Sequence, residues 1–419
     1  MNYDLVIIGG GPAGMAAAVA AKEIGIDKLL ILDREAYLGG ILIQCIHNGF
    51  GLHTFKEELT GPEYAQRFID KIHELSIPYK LNTMVLDITE DKTICAVNPD
   101  EGLLEIKAKT IILAMGCRER PRGALTIPGT RCTGIMTAGS AQKFVNMKGF
   151  MPGTEVVVLG SGDIGLIMAR RMSFEGAKVK AVVELLPYSS GLKRNIVQCL
   201  DDYDIPLLLS HTVVKIHGKD RLQGVTIAQI GSDRKPIKGS EEYIKCDTLL
   251  LSVGLLPENE LSRKADVELS QITGGALVDS YLQTNIPGIF ACGNVLHVHD
   301  LVDNVTTESR IAGKNARAYI KGLLKNDNKV TIKAIDGVRY TVPQFIVPSA
   351  ISDNITVRFR VDNVYKGASI AVYFDNEKVI TRKKKILTPG EMEEIRLTSD
   401  MFSKYPNTAS VTFKVERSI

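Results

Sequence analysis

The chain has 419 residues, with 51 Lys and Arg against 48 Asp and Glu, a net charge of +3, seven cysteines and no tryptophan. That length suits about three domains, and the near-neutral charge with few aromatic residues excludes a basic, stacking surface for nucleic acid. No apolar run approaches the roughly 18 residues of a membrane span, Met1 leads almost directly into a core strand rather than a cleavable signal, and an odd, scattered cysteine set points to a reducing compartment. A soluble cytoplasmic protein is expected.

In chain order, the first element is an apolar strand running into DLVIIGGGPAG, from Asp4 to Gly14. Gly9, Gly11 and Gly14, with Pro12 and Ala13 between them, form a Gly-x-Gly-x-x-Gly turn between a strand and a helix, where backbone N–H groups receive a pyrophosphate. The second strand ends on Asp33, followed by Arg34, at the spacing of an acid that binds ribose hydroxyls. Gly39-Gly40 and the segment ILIQCIHNGFG, with Cys45 and His47, come next. A helix around Pro62 to Leu75 and a small antiparallel meander lead to TIILAMG, with Ala114 and Gly116.

The pattern then repeats. EVVVLGSGDIG carries Gly160, Gly162, Asp163, Ile164 and Gly165, AVVELLP places Glu184 as far beyond Gly165 as Asp33 lies beyond Gly14, and TLLLSVG ends on Gly254. One such fingerprint is weak, but two in order with matched acids mark a duplicated domain. GIFACGN, with Gly293 and Asn294, precedes a helical stretch from Thr306 and Thr307 that returns the chain to the first domain. After the polar linker KNDNK, the stretches ITVRFRV and ASVTFKV alternate at period two, as half-buried strands do. The expected fold is α/β: two Rossmann-like dinucleotide-binding domains, the second inserted in the first, plus a small C-terminal β-sandwich. Its domains are residues 1–118 with 286–327, then 119–285, then 330–419. The basic cluster Arg382 to Lys385 reads as a solvated sheet edge. His297 and His299, with Asp300 and Asp303, lack a supporting cluster at metal spacing, so no metal is expected and the loop is read as shaping a pocket or interface.

This architecture resembles the two-dinucleotide-binding-domain flavoprotein reductases of the thioredoxin and glutathione reductase type, over about Met1 to Lys325. The resemblance implies FAD in the first domain and a nicotinamide nucleotide in the second. It places Asn294 where related reductases have an Asp that accepts from the ribityl chain, and it aims the N-terminus of the helix holding Arg310 and Gly313, through the amides of Thr306 or Thr307, at the flavin pyrimidine edge. It also places Cys45 and His47 on the flavin face opposite the nicotinamide, as candidate catalytic residues. Glu184, with no Arg before Arg194, favours NAD over NADP. The segments GGILIQCIHNGFG, MGCRERPRG and PYSSGLKRN resemble a narrower group: the flavoprotein subunits of opine oxidase, hydrogen cyanide synthase and dye-linked proline dehydrogenase, and oxidoreductases associated with glycerol-3-phosphate dehydrogenases.

Neither dithiol of the better-known members is present. GIMTAGSAQKF contains no cysteine, and five residues beyond Cys45 lies Phe50. The expected function is therefore hydride transfer between NAD(H) and FAD, with electrons exchanged with a substrate-oxidising flavoprotein partner. One alternative is a self-contained NADH oxidase, or peroxide or disulfide reductase, in which Cys45 cycles through a sulfenate. Another is a nucleotide-sensing or scaffolding role, and an oligomer is possible. The C-terminal domain is expected to serve assembly or partner docking, so that its removal spares reduction by NADH.

Overall fold

Strand Asn2–Ile8 is buried over its last four residues and pairs in parallel with Leu29–Leu32 on one side and Gly102–Leu113 on the other. An unbroken run of apolar residues is what a strand covered on both faces requires. The computed structural model describes residues 1–325 and 327–417, so Asn326 of the linker and the last two residues of the C-terminal domain lie outside the described residues.

Helix Pro12–Glu23 begins at a proline, where the missing N–H would have been unpaired in any case. Its buried face is mostly alanine, so other backbone can approach closely. At Gly313 of helix Val302–Ile320 a Cβ would stand 2.3 Å from the Ala17 carbonyl oxygen. The sheet runs Tyr79–Lys80, Leu29–Leu32, Asn2–Ile8, Gly102–Leu113, Thr93–Asn98, Met84–Ile88, and Ile289–Ala291 joins Gly102–Leu113 in parallel. The last two strands in that order are antiparallel, which is the meander.

A second compact unit, Arg118–Leu256, repeats the plan. Its parallel sheet runs Ile135–Thr137, Thr248–Leu251, Glu155–Leu159, Lys178–Glu184, Leu207–Leu209, with a three-stranded meander from His211 to Lys245. This unit ends sooner than residue 285, where the sequence places its boundary. Residues 257–285 belong to the first unit. Ala276, Val278 and Leu282 sit in its core, and Asn259 donates to the Val295 carbonyl at 2.8 Å. The segment has little regular structure beyond the short helix Glu260–Lys264, so its periodicity gives no sign of which domain it serves.

From Val330 the chain forms two antiparallel-rich sheets, one of five strands and one of three. Phe359, Phe374 and Phe413 fill the space between apolar faces. Strand Glu377–Leu387, which carries the basic cluster, lies at the edge of the five-stranded sheet. The alternation in ASVTFKV holds. In ITVRFRV it fails at Arg358, only 6% exposed where period two would put it in solvent. These strands cluster with the first unit rather than standing apart: Gln344 N–H donates to the Val278 carbonyl at 3.1 Å and Lys329 pairs with Asp279. Among the described residues no helix is long and apolar enough to cross a membrane.

Candidate functional site

The two glycine turns match hydrogen bond for hydrogen bond, each within its own unit. Gly9 N–H donates to the Leu32 carbonyl at 2.8 Å, and Gly160 N–H to the Val183 carbonyl at 2.7 Å. Both glycines take positive φ, +110° and +92°, and a Cβ on either would strike the carbonyl oxygen of the neighbouring strand's end, at Ala114 or Ser252. At Gly14 a Cβ would lie 1.8 Å from the Gly9 carbonyl oxygen, so only glycine lets helix and strand meet there.

The acids are held alike. Asp33 accepts from Gly10 N–H at 2.5 Å and from Glu35 N–H at 2.8 Å. Glu184 accepts from Ser161 N–H and from Leu186 N–H, both at 2.9 Å, and from the Ser161 hydroxyl. Each carboxylate is thus fixed at the turn, and burial pushes the Asp33 carboxyl upward against the pull of its two N–H donors. Around the second turn, Asp163 accepts from Leu192 N–H and the Asn195 amide. This folds the PYSSGLKRN segment over Gly160–Gly165. Ser252, which occupies the place of Ala114 in the repeat, donates to Gly162 and accepts from Gly165 N–H. Its role was readable only by aligning TIILAMG with TLLLSVG.

In the first unit the fold gathers Gly39 and Gly40 onto the turn. Gly39 N–H donates to the Gly10 carbonyl, and a Cβ on Gly40 would stand 3.0 Å from the Gly11 Cα. A Cβ on Gly293 would lie 2.7 Å from that of Ala13. Asn294 accepts from His299 N–H and its amide lies 3.6 Å from the Cys117 sulfur. Arg34 is exposed beside Asp33, and Gly116 and Gly254 close the two buried strands with positive φ. Nothing but the Gly40 Cα comes within 4 Å of a Cβ built on Gly11. The turn therefore leaves an open cradle over the free N–H groups of helix Pro12–Glu23, which suits the pyrophosphate of FAD.

Two expectations about this side change. Helix Val302–Ile320 starts one turn earlier than the sequence suggests, so Thr306 and Thr307 stand in its second turn, with their amides inside the helical ladder. The Thr306 hydroxyl instead bonds the Tyr64 hydroxyl at 2.7 Å. In the first turn Asp303 takes Gly51 N–H and Thr54 N–H, tying down the segment after His47. Cys45 lies at the end of a short 3-10 turn, its thiol donating to the Ile41 carbonyl, and burial pushes that thiol up to about 12. A group held so firmly as a thiol is a poor nucleophile. His47 packs against the Phe50 ring, 5.1 Å between centroids.

His297 and His299 are buried and do find a carboxylate, one that spacing alone does not reveal. Glu308 accepts from His297 Nε2 at 2.8 Å, His299 Nε2 at 3.1 Å and Gly293 N–H at 2.8 Å. The three side chains offer ligand atoms within 4.8 Å of one another, a metal-like set. Arg358 places a guanidinium 3.7 Å from Glu308, beside that set. Burial would raise the Glu308 carboxyl, but the two histidines hold it well below the usual range. Burial and His299 push His297 down to about 4, so it donates to Glu308 as a neutral ring. Arg360 extends the node, donating to Asp300 and to the Val298 carbonyl. The C-terminal strands thus neutralise the loop that carries Gly293 and Asn294.

Comparison with known proteins agrees with this geometry. Residues 3–313 match the model of the pyridine nucleotide-disulphide oxidoreductase family. Hydrogen cyanide synthase subunit HcnB of Pseudomonas protegens is 26% identical over 320 residues, 70% of this chain and 66% of that protein. An opine oxidase subunit of Agrobacterium tumefaciens is 28% identical over 79% of this chain and 69% of its own length. The chain therefore spans about two-thirds of the length of both relatives. The crystal structure of T. acidophilum thioredoxin reductase shares the fold, with a TM-score of 0.63 and 24% identity over 77% of this chain and 99% of that one. The chain belongs to the pyridine nucleotide-disulphide oxidoreductase family and is an FAD-dependent NAD(P)H oxidoreductase.

Proposed function

We propose that this protein exchanges a hydride between NAD(H) and FAD and passes electrons to or from a separate subunit that oxidises an organic substrate. The observation that carries the reading is the matched pair of turns, each with a buried carboxylate fixed where an adenosine ribose would sit. Gly9, Gly11, Gly14, Asp33, Gly39, Gly40, Gly293 and Asn294 would hold FAD, and Gly160, Gly162, Gly165 and Glu184 the nicotinamide nucleotide. When bound, the two cofactors supply the hydride chemistry; the residues supply position and field. Glu184 would accept from ribose hydroxyls and repel a 2′-phosphate, which favours NADH over NADPH.

The route out of the flavin is argued from the cysteines. None of the seven forms a disulfide, and Cys45, the one nearest to reductase dithiols in sequence, is held as a thiol. This favours transfer to another protein over reduction of a disulfide. The names of two relatives, one belonging to a hydrogen cyanide synthase and the other to an opine oxidase, support a complex in which the partner carries the organic chemistry. Seven cysteines without a disulfide between them suit the cytoplasm.

Stopped-flow absorbance at the flavin band, under argon, tests the nucleotide. Bleaching is expected to be faster with NADH than with NADPH; equal rates, or a faster reaction with NADPH, would refute the role given to Glu184.

A further inference from the structure

One face of helix Val302–Ile320 carries Thr307, Arg310, Ile311 and Lys314, at the spacing that puts them side by side. The opposite face holds Ala312, Gly313 and Ala316 in the core. With His53, Thr54 and Thr306, the outward residues line a cavity of about 330 Å³. That is space for about ten water-sized groups, far short of a dinucleotide. The walls offer a guanidinium, an ammonium, an imidazole and three hydroxyls, and no carboxylate.

Surface cations on helices usually find an anionic neighbour or lie free in water. Arg310, half-buried, has no carboxylate partner among the described residues. Its Nε is buried without a hydrogen-bond partner. Asp303, one helical turn before Thr307, accepts instead from Gly51 N–H at 3.3 Å and Thr54 N–H at 2.8 Å. Those same bonds hold the segment with His53 and Thr54 at the cavity, and the Tyr64 hydroxyl ties Thr54 to Thr306. The cavity is thus built by side chains with other partners, while its two cations remain without a carboxylate among the described residues.

We propose that this cavity binds a small oxyanion, a carboxylate or phosphate group on a molecule of modest size, with Arg310 and Lys314 as its charge partners and the Thr54 hydroxyl, which accepts from Tyr64 and keeps its own proton, as a donor. Arg presents a planar fork to such a group, and Lys a point charge beside it. The claim concerns binding alone and stands whether or not the hydride reading holds.

Calorimetric titration of the flavin-loaded protein at low ionic strength, with inorganic phosphate and separately with succinate, tests it. Saturable binding of at least one probe is expected. Arg310→Gln should weaken it about tenfold or more, and Arg310→Lys should retain most of it. Ile311→Glu, which puts a carboxylate on an exposed wall position without removing a cation, should abolish it while leaving flavin content and melting temperature unchanged. Binding of phosphate alone would assign a phosphate ligand, and binding of both a general oxyanion site. Failure of both probes to bind, or affinity in Arg310→Gln and Ile311→Glu equal to that of the unaltered protein, would overturn the proposal.

Discussion

Gly14 sets one of the tightest constraints of any single residue. Its missing Cβ would stand 1.8 Å from the Gly9 carbonyl oxygen, so Gly14→Ala must push helix Pro12–Glu23 off its strand, at a cost of about 3 kcal/mol or more. The expected outcome is protein that melts earlier and purifies with little flavin, read from the ratio of flavin to protein absorbance. Glu184→Arg acts on chemistry instead. Removing the carboxylate and adding a cation should lower the NADH-over-NADPH preference about tenfold, measured as the ratio of reduction rates. Such residues were legible in the sequence because they occur twice at matched spacing. Glu308 was not: in TTESR it reads as an ordinary helix carboxylate, and only the fold brings it under Gly293 and against two histidines.

Elements show where pattern reading stops. Strands Asn2–Ile8 and Glu155–Leu159 were clear because each is an apolar run bounded by a glycine turn. The start of helix Val302–Ile320 was not, because Asp303, its first-turn acid, serves backbone N–H groups from the distant segment 51–54 rather than its own helix. Strand Asn354–Val361 also departs from period two. Arg358 turns inward to a buried carboxylate, so its removal strands that charge. Arg358→Leu should therefore cost about 3–5 kcal/mol, seen as a lower midpoint in denaturant. The same node sets a pH dependence. His297 is pushed down to about 4 with His299, Glu308 and Arg358 around it, whereas the unfolded chain protonates this ring near 6.5. The unfolded state therefore binds more protons in that window, and stability falls as pH drops from about 6.5 towards 4, by about 2 kcal/mol between pH 7.5 and 5. Glu308, depressed in the folded state, adds a further loss below its ordinary range. Melts of His297→Gln should show a flatter decline over that window; a decline as steep as that of the unaltered protein would remove His297 as the cause.

At the scale of the whole molecule, the duplicated architecture was readable and the junctions were not. Residues 257–285 join the first unit through core side chains in an irregular segment, and the C-terminal strands meet that unit through charges that composition cannot locate. This revises the expectation that the C-terminal domain can be removed freely. Ending the chain after Lys329 deletes Arg358 and Arg360 and leaves Glu308 and Asp300 without cations beside Gly293 and Asn294. The truncated protein should lose flavin more readily than the full chain, measured by dialysis and absorbance. The central claim, a flavin that trades electrons with NADH and with another protein without a dithiol of its own, is met most directly by anaerobic titration. One NADH per FAD should bleach the flavin completely, with no further uptake. Consumption of two NADH per FAD would reveal a second redox centre in this chain and contradict the account.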